Sequence, residues 1–501
     1  MFVRKKVNRS GVISVQVIAK ISGKSKLINT IGSSIDEQEI ESLVEKGHQF
    51  IATFGGQQAI DFSNESSLLK SAFQNISSHT EVGTQFLLGK IFDDIGFSVV
   101  NDDIFRKLVL SRLVCPVSKL RTSDYLDKYY DIDYPVQQIY RYMDKFHSAR
   151  KELVHQISYE HTRKILGGQI SVVFYDVTTL YFEIDHEDDL RKTGFSKEGK
   201  HQNPQIVLGL LVSRSGYPLA YDVFEGNKFE GHTMLPVLDS FKEKYNLEQM
   251  IIIADSGLLS NTNIIDLQAG DYEFILGARI KNEKHDVKRK ILSLKLNNGE
   301  SAVIKKGNLR LIITYSDNRA KKDRINREKG LKKLEKRINA GRLTKSNINN
   351  RGYNKYLKME GDMKIEIDYS RFEADGAWDG LKGYLTNAKL TKDEIIENYG
   401  HLWLIEKAFR INKTDLRIRP IYHRLRHRIE SHICISFVAY KIYKELERQL
   451  KEKQSSLSPE KAIEIAKTIY QVKAQTSNGE VSHVMLISEE QQNLAQLFNF
   501  G

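Results

Sequence analysis

Val172-Val173-Phe174-Tyr175-Asp176 is a short apolar run that stops at a carboxylate, and Ile251-Ile252-Ile253-Ala254-Asp255 repeats the pattern further along the chain. Runs this short and this rich in β-branched and aromatic residues read as buried strands. A strand that ends at an aspartate places that side chain at a sheet edge. Around these two, strand-like runs appear at 170–176, 206–213, 218–224, 250–254 and 272–277. Helical patterns at 233–245 and 260–268 flank the fourth run. Three strands, helix, strand, helix, strand is the order of a mixed α/β sheet that begins as a meander.

A third carboxylate comes from a different kind of segment. Tyr399-Gly400-His401-Leu402-Trp403-Leu404-Ile405-Glu406-Lys407-Ala408-Phe409-Arg410 reads as part of a helix from about Lys392 to Leu416. At about 100° per residue, Tyr399, Glu406 and Lys413 recur on one narrow face, which Arg410 shares. Leu402 and Phe409 flank that face on one side and Trp403 on the other. Charges set into an apolar surface are costly unless something compensates them. A metal at Glu406 and phosphates near Arg410 and Lys413 would do so. Taken alone, the helix is better read as carrying an ordinary Glu406–Arg410 pair at i, i+4; the two strand-end aspartates turn the reading toward a metal site.

Together, Asp176, Asp255 and Glu406 form a set of hard oxygen ligands suited to Mg²⁺. Cutting a phosphodiester needs an activated nucleophile, neutralised phosphate charge and a stabilised leaving oxygen, which two such ions about 4 Å apart can provide. Soft-metal patterns, Cys-x-x-Cys or His-Glu-x-x-His, are missing, and His201, His232 and His432 read as ordinary polar or core residues. Gly194-Phe195-Ser196-Lys197-Glu198-Gly199-Lys200 fits the start of a phosphate-binding P-loop, but His201 stands where Ser or Thr belongs. A strand-like run follows where that motif needs a helix.

Composition agrees with a nucleic-acid partner. The 501 residues carry a formal charge of +12, which favours a polyanion. Between Arg319 and Lys345 there are 12 Lys or Arg against 3 Asp or Glu. Such a run is either a phosphate-gripping arm or a solvated helix face. No apolar stretch approaches the roughly 20 residues that span a bilayer. The start, Met1-Phe2-Val3-Arg4-Lys5-Lys6, lacks the apolar segment of a signal peptide, and the only cysteines are Cys115 and Cys434. A cytoplasmic, nucleoid-associated protein with no membrane partner is expected.

The chain divides into six segments. Residues 1–60 read as a β-hairpin or meander plus a helix capped by Asp36. Residues 61–165 read as a helical, DNA-end-binding region. In it, Pro116 separates two helices, and Pro135 opens a helix whose Gln137, Gln138, Arg141 and Lys145 would suit a surface laid on DNA. A plain supporting bundle fits that region too. Residues 166–280 are the first part of the sheet domain, and 281–375 a basic insertion. Residues 376–450 are the second part of the sheet domain, carrying the Glu406 helix. Residues 451–501 are a helical tail and candidate dimer contact. Trp378 could hold a flipped base, although packing is its simpler role.

At Tyr175-Asp176-Val177-Thr178-Thr179, Ala254-Asp255-Ser256-Gly257 and the Tyr399–Lys413 helix, the sequence resembles a bacterial insertion-sequence transposase of the DDE type. The resemblance extends to Phe2-Val3-Arg4-Lys5-Lys6, Thr30-Ile31-Gly32-Ser33-Ser34 and Lys413-Thr414-Asp415-Leu416-Arg417. It implies an RNase H-like mixed sheet interrupted by a β-rich insertion, with a small N-terminal β element and a helical DNA-binding region. It implies Asp176, Asp255 and Glu406 as catalytic ligands of two Mg²⁺ (or Mn²⁺) ions, and Tyr399 and Lys413 as contacts to DNA near the cleavage point. The family signature is Tyr, two residues, Arg, three residues, Glu, six residues, Lys. Here Leu402 stands at the Arg position, and Arg410 is the candidate substitute. The implied activity is cut-and-paste transposition by a homodimer on paired ends, acting on terminal inverted repeats and target DNA. A nuclease without strand transfer, or a non-catalytic DNA-binding derivative, is the alternative.

Overall fold

A computed structural model of the chain describes residues 1–21, 23–54, 73–145, 148–184, 186–196, 199–247, 250–341, 343–344, 347–349, 352–360, 364–476 and 479–500. It falls into two compact units: Met1–Ser77 with Lys473–Val481, and Ser78–Val472 with Ser482–Gly501. In the first unit, β1 (Phe2–Val7), β2 (Ile13–Ile21) and β3 (Lys24–Ser34) form an antiparallel sheet in that order. Irregular register at Val15/Gln16 and Val17/Ile18 lets β2 bury Val15, Val17 and Ile18 together, which strict alternation would forbid. Helix α1 (Glu37–Thr53) starts where expected, because the Asp36 carboxylate accepts hydrogen bonds from the Gln38 and Glu39 N–H groups.

The chain enters the second unit within β4 (Ile76–Glu81), a strand in a region expected to be helical throughout. Residues 61–72 and Phe146 of that region lie outside the described residues. Then follow α2 (Lys90–Ile95), α3 (Asp103–Val114), α4 (Lys119–Tyr130), α5 (Val136–Asp144) and α6 (Ser148–Ile165). The Pro116 break separates α3 from α4, with Ser118 capping the latter. Pro135 is the N-cap of α5, one position before the expected first turn. Ile139 and Met143 of α5 face inward, while Gln137, Gln138, Arg141 and Lys145 are exposed.

The sheet domain runs β5 (Val172–Tyr181), β6 (Gln205–Ser213), β7 (Pro218–Glu225), α7 (Met234–Tyr245), β8 (Ile251–Ala254), α8 (Asn261–Ala269) and β9 (Glu273–Ala278). After β9 come α9 (His285–Ser293), β10 (Ser301–Lys306), β11 (Leu309–Tyr315), α10 (Asp317–Asn339), β12 (Leu357–Glu360), β13 (Lys364–Ile367) and α11 (Tyr369–Gly376). The chain returns through β14 (Leu381–Thr386), α12 (Lys392–Gly400), α13 (Trp403–Thr414) and α14 (Arg426–Glu452). It closes with α15 (Pro459–Ala466), β15 (Tyr470–Thr476), β16 (Gly479–Met485) and α16 (Glu489–Phe498).

Eight strands pair in the order β10-β11-β14-β9-β8-β5-β6-β7. The meander β5-β6-β7 is antiparallel, and β8 and β9 run parallel to β5. The five strands β7-β6-β5-β8-β9 therefore have the RNase H-like arrangement. Alternation along β5 sends Val172 and Phe174 to one face and Val173 and Tyr175 to the other. The first face is covered by α12, α13 and the largely buried α14, the second by α7 and α8.

Three expectations change. The β5 strand does not stop at Asp176 but continues to Tyr181, because Val177-Thr178-Thr179-Leu180 is itself good strand sequence and pairs with β6. The insertion is not predominantly β: its longest element is the 23-residue α10, and β10 and β11 extend the main sheet through β14. Charge repulsion within this helix is relieved by exposure, and Arg327 anchors it to Asp379 at 2.7 Å with its guanidinium over the Phe372 ring. Residue Lys345, at the end of the basic run, lies outside the described residues. The tail, expected to be helical, contains β15 and β16.

Candidate active site

Register brings two of the carboxylates together. In the parallel pair β5–β8, Tyr175 lies opposite Ala254; Asp176 is the next residue along β5 and Asp255 the first residue after β8. Neighbouring strands are about 4.8 Å apart, so these two side chains leave the sheet side by side. By alternation Asp176 shares the face of Val172 and Phe174, the face covered by α13. Asp176 is thus mid-strand, yet it stands where the β5–β8 pairing ends. Each carboxylate is oriented by its own backbone: Asp176 Oδ1 accepts from the Val177 N–H at 2.8 Å, and Asp255 Oδ1 accepts from the Ser256 N–H.

Glu406 reaches the same neighbourhood from the first turn of α13. The expected single helix is two, because the path breaks at His401-Leu402 between α12 and α13. Leu402 is buried in the core at that break, whereas Glu406 and Arg410 are exposed and Lys413 is half-buried. Among the described residues no ion pair joins Glu406 to Arg410 at i, i+4, so the surface-pair alternative is not what the helix adopts. Tyr399, next to last in α12, has its ring buried, 4.7 Å from the Tyr384 ring and with Lys382 Nζ 4.6 Å from its centroid. Its hydroxyl lies against Gly277 of β9 and close to Ser256.

Electrostatics tie the group together. Burial pushes the Tyr399 phenol far above its ordinary range, and the charges of Asp255, Tyr384, Glu406 and Asp176 push it further. One phenol therefore senses all three carboxylates. Burial and Arg319 pull the Lys382 ammonium down, and Asp255 and Glu406 oppose that fall. Lys382 was missed in the sequence; the signal was a lysine within the otherwise apolar run of β14. Glu230 was missed as well. One oxygen of Glu230 and Asp255 Oδ2 each lie 3.8 Å from the point where a Cβ on Gly257 would sit.

The donor set fits a hard cation, being made only of carboxylate oxygens. Among the described residues, however, no three His, Cys, Asp or Glu side chains converge into a ready-made ion shell. Asp255 and Glu406 are both exposed. Other candidates resolve simply. The loop at Gly194–His201 leads into β6 rather than a helix, so it is no P-loop; its Lys197 and Glu198 lie outside the described residues. Trp378 packs beside the cluster of Ile280, Leu311 and Ile313, as a packing residue should. Both cysteines are free, and among the described residues no helix is long and apolar enough to cross a membrane.

The family description "Transposase DDE domain" matches residues 167–442. That span begins just before β5 and ends within α14, taking in all eight strands of the main sheet and the Glu406 helix. Among solved structures, the chain is similar to a piggyBac transposase synaptic complex with hairpin DNA, at 9% identity and a TM-score of 0.40, over 77% of this chain and 78% of that one. It is also similar to a Mos1 transposase paired-end complex with left transposon end, at 11% identity and a TM-score of 0.16, over 46% of this chain and 71% of that one. No curated protein sequence is matched. The domain match spans more than half of the sequence and takes in the whole main sheet: the chain belongs to the DDE transposase family.

Proposed function

We propose that this protein is the transposase of a bacterial insertion sequence. In this reading it cuts the ends of its own element and joins the freed ends to target DNA, with Asp176, Asp255 and Glu406 as the carboxylates that hold Mg²⁺ or Mn²⁺. The observation that carries the reading is the β5–β8 register, which sets Asp176 beside Asp255 under the helix of Glu406. Two divalent ions held there would neutralise charge on the scissile phosphate and lower the cost of deprotonating an attacking water.

The chain's own groups do the rest. The backbone N–H groups of Val177 and Ser256 each hold one oxygen of an aspartate, Asp176 and Asp255 respectively. Lys382 supplies positive charge beside Asp255 and Glu406. The neutral Tyr399 hydroxyl can donate to a phosphate or sugar oxygen. Arg410 and Lys413, one and two turns beyond Glu406, extend a cationic stripe along which a DNA strand can lie. Arg410 takes the part that Leu402, buried at the helix break, cannot. The exposed Gln137, Gln138 and Arg141 of α5 form a second contact to the duplex, and the active form is a homodimer on paired ends, acting at the nucleoid.

The test uses the purified chain, a duplex carrying the inverted repeats that flank its gene, and a target plasmid. Wild type should cut at the repeat ends and integrate only with Mg²⁺ or Mn²⁺. Asp176→Asn, Asp255→Asn and Glu406→Gln should each lower cleavage by roughly a thousandfold while the duplex is still bound. Wild-type cleavage by pure Asp176→Asn would overturn the ligand assignment. Cleavage without integration would make the protein a nuclease. Arg410→Ala should weaken end binding; unchanged binding and cleavage would remove Arg410 from the site.

A further inference from the structure

Away from the carboxylates, a cavity of about 410 Å³ opens between the α3–α4 connection and the segment that follows α13. Its lining is cationic: Arg112 from α3, Lys119 and Arg121 from α4, and Arg417 and Arg419 from the returning segment. His423 and His432 complete that wall, and none of the described lining residues is acidic. Two of the cations are inside the protein. Arg112 is 5% exposed and Lys119 4% exposed. The Arg112 Nε donates to nothing, and among the described residues neither side chain has an ion pair. Burial lowers the Arg112 guanidinium to about 10 and pulls the Lys119 ammonium well below its usual range, with Arg112 adding to the effect on Lys119. Burying two cations side by side without a counter-charge is strongly unfavourable. Asp144, at the end of α5, is held by Arg428 and His427.

The geometry selects the missing anion. Ser118 and Lys119 put the positive N-terminal end of the 12-residue α4 at the cavity, with backbone N–H groups as further donors. Arg417 sits in a left-handed backbone conformation (φ 44°) that a non-glycine residue adopts at a cost. Tyr140 lines the cavity from α5, and its neighbours on that helix, Gln137 and Arg141, are exposed. We infer that this cavity is a further DNA contact, a pocket that seats a backbone phosphate of the duplex lying along α5, with Arg112 and Lys119 as its buried anchors. The inference rests on the proposed DNA-processing function but concerns a site separate from the carboxylates.

Inorganic phosphate and duplex DNA are the probes, used on the full chain. Phosphate should raise the melting temperature of the wild type, and Arg112→Met/Lys119→Met should abolish that response. The same variant should bind the duplex roughly tenfold more weakly, with a log K against log salt slope shallower by about 1. Arg121→Gln at the exposed rim should show a smaller loss in the same direction, which keeps the test valid should the buried pair be needed for folding. A wild type that does not respond to phosphate, or variants that respond as it does, would overturn the site. A phosphate response lost without change in DNA affinity or salt slope would assign the pocket to a small phosphate compound and overturn the DNA reading. Because phosphate binding is read without cleavage, failure of the transposase reading leaves a separate signature, metal-independent or absent cutting with the phosphate response intact.

Discussion

A methyl group added at Gly277 of β9 would sit 2.4 Å from the Tyr399 hydroxyl and 2.9 Å from the Ser256 nitrogen. The glycine is what lets the phenol lie against the sheet beside Asp255. Gly277→Ala should therefore destabilise the protein by about 1–3 kcal/mol and slow DNA cleavage, measured by thermal melting and by a nicking assay. Adding Tyr399→Phe removes the first clash but not the second, so the double variant should recover part of the stability and little of the activity. At this scale the sequence singled out candidates but was poor about their placement. Asp176, Asp255 and Glu406 were picked out by residue type and context. That Asp176 is mid-strand was hidden, because a carboxylate looks like a terminator while the β-branched residues after it continue the pairing. Lys382 and Glu230 were hidden because only tertiary folding brings them beside the aspartates.

The helix α10 concentrates the positive charge of the insertion. Lys329, Lys332, Lys333 and Lys336 are all exposed on it, and the helix is anchored through Arg327 rather than through these lysines. Replacing the four with Gln should leave the melting temperature within about 1 °C, since exposed charges contribute little to stability. It should flatten the salt dependence of DNA binding by about 1 to 3 units of slope, according to how many lysines contact phosphates. An unchanged slope would make α10 a solvated face and nothing more. Elements with a clean local pattern were legible: α1 with its Asp36 cap, the break at Pro116, and every strand of the meander. The break between α12 and α13 was signalled only by Gly400, a single residue within an otherwise helical pattern. The pairing of β11 with β14 was not legible, because β14 lies beyond α10 and long-range pairing leaves no local periodicity.

Taken as one body, the second unit stores several histidines in neutral form. Burial holds His155 and His432 well below the ordinary histidine value, and lowers His161 to about 4 and His423 to about 3. Nearby lysines and arginines deepen each shift. An unfolded histidine takes its proton near pH 6.5, so below that value the unfolded chain binds more protons than the folded one. Stability is thus present above about pH 6.5 and is lost as pH falls, by up to about 1.4 kcal/mol per pH unit for each such group. Urea unfolding at pH 7.5 and 5.5 should show a large drop, and His423→Gln should reduce it; a flat profile would mean that these histidines protonate in place. The sheet order has its own consequence, for the timing of synthesis. Strand β14 inserts between β9 and β11, and α13 follows it, so a chain still on the ribosome can display both aspartates long before the third carboxylate is made. Such a nascent chain has the meander but not the covering helix. On the proposed assignment of Glu406, the transposase is without its third metal ligand until that helix has been translated.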